Sequence, residues 1–127
     1  MRTICKPQFI VLLSILFLSA CDWGRTPSKE RFEKNCHITI PQDVTVIKDE
    51  YEGLVSDYTI YYTLKFTASS LKDFTKSIRQ SDYYNTYWRN SKRGYTFYRK
   101  EGGKEYTEYS IDVDTAYRAA TFQEGSN

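Results

Sequence analysis

Alternation of apolar and polar side chains is strongest between Asp57 and Thr67. Tyr58, Ile60, Tyr62, Leu64 and Phe66 fall on one side of an extended chain there, and Thr59, Tyr61, Thr63, Lys65 and Thr67 on the other. A period of two is that of a β-strand. One apolar row backed by one polar row predicts an antiparallel sheet buried on one face and open to water on the other. Ahead of it, His37–Ile40 and Val44–Lys48 alternate more briefly around Pro41, which predicts two short strands or one strand broken at an edge. Gly53 marks the turn into the long strand.

The period then changes. Leu71, Phe74 and Ile78 recur at spacings of three and four, so they share one face of a helix that Ser69 or Ser70 can cap and that runs to about Gln80. Residues 81–93 keep no clean period. Gly94 opens a strand over Tyr95–Lys100, Glu101-Gly102-Gly103-Lys104 reads as a hairpin turn, and Tyr106–Val113 is its partner with Tyr109, Ile111 and Val113 inward. Asp114-Thr115 leads into a last strand, Ala116–Phe122, after which Gln123–Asn127 is expected to fray. This order predicts a small α+β domain: a mostly antiparallel sheet of four to six strands with one helix packed on one face.

The amino terminus belongs to another category. Phe9 to Ala20 is uncharged and follows Arg2 and Lys6, the layout of a secretory signal. As a helix it is too short for a hydrocarbon layer about 30 Å thick. It ends in Leu18-Ser19-Ala20-Cys21, which resembles the lipobox of bacterial lipoproteins. The resemblance implies cleavage before Cys21, lipidation of that cysteine and a membrane partner reached through the lipid anchor. It places the protein in the cell envelope, facing the periplasm or the exterior, and Asp22 after the lipidated position resembles an inner-membrane retention signal. The expected organisation is a signal peptide over 1–20, a flexible tether over 21–35 containing Gly24 and Pro27, and a single domain over 36–127.

Charge and cysteine content change with that processing. The net charge of +2 comes entirely from Arg2 and Lys6, so the mature chain is balanced and, with its exported address, is not expected to bind nucleic acid. With Cys5 removed and Cys21 lipidated, Cys36 is the one thiol left, expected to be buried rather than reactive. All 12 tyrosines lie after the signal, and tyrosine suits both strands and interfaces.

No catalytic, cofactor or metal signature is present: there is one histidine, no phosphate-binding glycine loop and no Cys/His grouping with metal spacing. Asp112 and Asp114 as paired carboxylates, and Asp49, Glu50 and Glu52 as a weak calcium loop, are better read as solvated acids. The region above background runs from Lys72 to Lys100, where eight basic residues face two acidic ones and are interleaved with Tyr83, Tyr84, Tyr87, Trp88, Tyr95, Phe97 and Tyr98. Tyr84, Tyr87, Trp88, Arg89 and Arg93 are the expected partner-binding residues, because aromatic rings and arginine dominate interface energetics. The expected function is non-enzymatic binding of a protein or an envelope glycan. The alternatives are a tethered inhibitor that protects its host from an exported toxin and, less favoured, a carboxylate-based envelope enzyme.

Overall fold

In a computed structural model of the protein, residues 25–127 are described. They form helix α1 (Ser28–Cys36), strands β1 (Val44–Gly53) and β2 (Tyr58–Phe66), helix α2 (Ala68–Gln80), and strands β3 (Trp88–Asn90), β4 (Gly94–Gly102), β5 (Tyr106–Asp114) and β6 (Ala119–Ser126). The six strands make one antiparallel sheet in the order β1-β2-β6-β5-β4-β3. Among the described residues no helix is long and apolar enough to cross a membrane.

The long alternation becomes β2 as expected, and its apolar row is the centre of the core. Ile60, Tyr62, Leu64 and Phe66 are buried, beside Ala120 and Phe122 of β6 and Tyr109, Ile111 and Val113 of β5. Helix α2 covers this face, its buried Phe74 stacked on Phe66 at 4.8 Å and set edge-on to Phe122 at 6.1 Å. Its cap is Thr67, two or three residues before the expected serines. The Thr67 hydroxyl accepts from Ser70 N–H at 3.0 Å, while Ser70 Oγ accepts from Thr67 N–H at 2.9 Å. The reciprocal pair satisfies two of the free N–H groups at the helix start.

Three expectations are corrected. Residues 28–35, expected in the tether, belong to α1, which lies on the same sheet face as α2. Phe32 is fully buried, with ring centroids 6.0 Å from Tyr62 and 5.1 Å from Phe122. Residues 38–40 are not a strand. They run irregularly after α1 with Ile38 and Ile40 buried, because His37 ends the helix in a left-handed conformation, φ 53°. Residues 123–126 do not fray: β6 runs from Ala119 to Ser126, and Glu124 is wholly buried in it. The signal peptide and Cys21 lie outside the described residues.

Candidate binding surface

Residues opposite each other in neighbouring antiparallel strands share a face, so the register sorts every side chain. On the covered face the polarity is graded along the strands. The rows through Phe66, Leu64 and Phe122 are apolar but for Asp49 and Asn90 at their outer ends, whereas the row nearest the β1–β2 hairpin but one reads Tyr51, Ile60, Glu124, Tyr109, Arg99. Arg31 of α1 pairs with buried Glu124 through two hydrogen bonds, Nε to Oε1 at 3.1 Å and Nη2 to Oε2 at 2.5 Å. The Tyr58 hydroxyl accepts from Arg31 at 3.1 Å and donates to Glu124. A fork of this kind satisfies a buried carboxylate in the only way that makes its burial tolerable. It also holds the Arg31 guanidinium above its ordinary pKa, chiefly through the Glu124 hydrogen bond.

Arg99 is a further charge on this face. Its guanidinium lies 5.6, 5.9 and 5.3 Å from the ring centres of Tyr83, Tyr87 and Tyr109, and Nη1 meets Glu101 at 2.9 Å. Its Nε has no hydrogen-bond partner among the described residues, so the π faces of the rings are what it rests on. Neither arginine was singled out from the sequence. A signal existed, since Arg99 alternates with Tyr95 and Phe97, and Glu124 with Ala120 and Phe122. A charge on the apolar parity of a strand marks a side chain that needs a polar or π partner on the covered face.

The five residues expected to form one binding surface do not share one. Trp88 is fully buried on the covered face, its indole N–H donating to the Cys36 carbonyl at 2.9 Å and its ring 5.0 Å from Phe97. It is a core residue, not a surface anchor. Tyr87 is half-buried against Tyr83, Phe97 and Arg99. Tyr84 is half-buried and donates to Asn90 Oδ1 at 3.2 Å. Arg89, opposite Thr96, lies on the uncovered face, and Arg93 is exposed in the β3–β4 turn, its carbonyl accepting from Thr115. Cys36 is buried as expected, and burial pushes its thiol far above the range in which it would react.

The acidic grouping on β1 comes apart, and one of the two β5 acids is engaged in a turn. Asp49 turns inward to accept from Ser28 Oγ at 2.6 Å, while Glu50 and Glu52 take the opposite parity with Tyr61 and Thr59. Asp114 Oδ1 caps the following turn by accepting from Tyr117 N–H. Among the described residues no group of three or more His, Cys, Asp or Glu is placed to hold a metal ion. His37 is stacked on Tyr83 at 3.8 Å with Nδ1 2.7 Å from Asp82, beside a cavity of about 480 Å³ lined by Glu33, Asp73, Lys76 and Ser77. These partners join the end of α1 to the turn after α2, a contact across 45 residues that no local pattern announces.

What remains is the uncovered sheet face. It presents Tyr61 of β2, Gln123 and Gly125 of β6, Glu108 and Ser110 of β5, and Tyr98 and Lys100 of β4 side by side. Tyr98 is 54 % exposed, Lys48 sits over the Tyr61 ring at 4.9 Å, and Lys100 over Tyr106 at 3.9 Å. Gly125 has no side chain between Thr59 and Glu108, and a trough of about 210 Å³ opens there, lined by Thr59, Tyr106, Glu108, Ser110 and Gln123 among others. A Cβ built on Gly125 meets nothing within 4 Å, so packing does not require a glycine at this position. Against known protein families, characterised proteins and solved structures, the chain shows no match.

Proposed function

We propose that this protein is a lipid-anchored envelope lipoprotein, held by Cys21, which binds an envelope glycan on the uncovered face of its sheet without catalysing a reaction. The observation that supports the reading is the trough over Gly125. Two hydroxyls (Thr59, Ser110), an amide (Gln123) and a carboxylate (Glu108) line it, with the Tyr106 ring at its wall. Hydroxyls and amides both give and accept hydrogen bonds, and tyrosine rings offer flat apolar area with a wet rim, the complement of a sugar's hydroxyl edges and C–H faces. Charges of both signs are interspersed on this face, Lys48, Lys65, Arg89 and Lys100 against Glu50, Glu52, Glu108 and Asp112, which suits a weakly charged polymer better than a polyanion.

Gly125→Val separates binding from folding. Valine suits a strand and has room, so stability is expected to change by no more than about 0.5 kcal/mol. Filling the trough should weaken binding of soluble envelope oligosaccharides, followed by calorimetric titration, at least tenfold, or about 1.4 kcal/mol. Equal titration of both proteins would reject the trough as the site. A protein recovered from crosslinked envelopes through Arg89 and Tyr98, with no sugar bound, would favour the tethered inhibitor instead.

A further inference from the structure

The β1–β2 hairpin ends in a tip that folding leaves uncovered. Leu54 is 77 % exposed and Val55 93 %, the two most exposed large apolar residues described. The tip is well formed: Leu54 N–H donates to the Asp57 carbonyl at 2.8 Å, and the Tyr51 hydroxyl donates to the Leu54 carbonyl at 3.0 Å. Gly53, at φ 111°, lets the backbone close there, since a Cβ would come within 2.3 Å of Asp57 O. Two aliphatic side chains are thus held out into solvent on a defined turn, a costly use of apolar area unless something receives it.

The chain that leads to Cys21 runs along β1 and reaches this end of the sheet at Arg25. Ser28 Oγ donates to Asp49 of β1, and the Arg25 guanidinium lies 5.3 Å from the centre of the Tyr51 ring. Tyr51 in turn stacks on Tyr58 at 5.4 Å, at the base of the hairpin. Three residues separate Cys21 from Arg25, and the four extended steps from one to the other reach at most about 14 Å. An acyl chain on Cys21 therefore holds Arg25, and with it the β1–β2 tip, within a short distance of the headgroups. The register places the β4–β5 turn, with Lys104, at this end of the sheet too, and Lys92, Arg93 and Tyr117 at the other. Strands of eight or nine residues run between the ends, roughly 26–30 Å.

We infer that Leu54 and Val55 are a membrane-contact element, seated in the interface of the bilayer that holds the lipidated Cys21. Asp57 closes the turn just behind them, which keeps the contact shallow, at the headgroup and upper acyl level where small apolar groups insert reversibly. A lipid anchor alone leaves a domain free to tumble; anchor and tip together fix its tilt. The strands then stand off the bilayer with the β3–β4 and β5–β6 turns outermost and the trough face turned sideways into the envelope. This inference rests on lipidation of Cys21.

The test uses the full lipoprotein carrying Val55→Cys, labelled with an environment-sensitive fluorophore and reconstituted into phosphatidylethanolamine/phosphatidylglycerol vesicles with or without nitroxide-bearing lipids. Cys36 is buried and does not compete for the label. A blue-shifted emission, quenched several-fold more by nitroxide lipid than that of Tyr117→Cys at the far end, is expected. Emission at Val55→Cys that matches Tyr117→Cys overturns the inference, and so does a blue shift without quenching, which would mean that protein covers the tip. A metabolic fatty-acid label on the same preparations separates the two levels. With the label present and no quenching, the tip inference alone fails; with no label on the wild type, the anchor reading fails and the inference falls with it.

Discussion

Trp88 shows how a single residue decides between surface and core. It sits in the short strand β3, where three residues are too few to display a period, so the sequence around it is equally consistent with either role. Its register partner is Phe97, already on the buried parity of β4, and its N–H satisfies the last-turn carbonyl of Cys36. Trp88→Ala should lower stability by about 3–5 kcal/mol in denaturant titration, through the lost ring and the cavity it leaves. Arg89→Ala, one residue on and on the uncovered face, should change stability by less than about 0.5 kcal/mol. Equal and small effects of the two would mean that the indole is not in the core. The same melt exposes Cys36: a thiol reagent should label it only as the protein unfolds, since burial keeps it protonated.

At the scale of elements, what could be read from the chain was what repeats. The strands β2, β4 and β5 and the face of α2 each carry enough alternation or three-four spacing to declare themselves, and the glycines at the hairpins declare the turns. Helix α1 does not. Of its nine residues only Ser28, Phe32 and Cys36 are buried, a single line at spacings of four in an otherwise charged segment. So thin a stripe is indistinguishable by composition from a solvated tether, and tertiary packing of Phe32 against Tyr62 and Phe122 makes it a helix. The uncovered face was legible for the same reason that β2 was, because its polar row is half of the alternation. The trough within it was not, because it depends on which strand lies beside Gly125, and strand order is not written locally. Two substitutions test the α2 assignment. Phe74→Ala should cost about 3–5 kcal/mol if its ring is the wedge between helix and sheet. Thr67→Ala should cost about 1 kcal/mol by removing the cap. A loss under about 1 kcal/mol for Phe74→Ala would mean that α2 covers the sheet with another face.

Across the whole molecule the covered face divides into an apolar end under α2 and a polar end built on Arg31, Glu124, Tyr58, Tyr109 and Arg99, and the division has a consequence for stability in alkali. Tyr58 is pushed up to about 12 from the ordinary value near 10, first by desolvation and then by its hydrogen bond to Glu124. Tyr109 moves the same way, by desolvation and then by the charges of Glu124 and Glu101, and so does Tyr62, by desolvation and then Asp49. A tyrosine with a raised folded pKa keeps its proton where the unfolded chain releases one. Its contribution to stability is therefore complete below about pH 10 and is lost as pH rises towards the folded value. The thermal midpoint should accordingly stay level to about pH 10 and then fall steadily to about pH 12. Tyr58→Phe removes one of these protons: it should lower the midpoint modestly at neutral pH, by the loss of the hydroxyl's bonds to Arg31 and Glu124, and make the alkaline fall shallower than in the wild type. If the two proteins lose stability in parallel above pH 10, Tyr58 titrates as a free tyrosine and the polar end does not close over it.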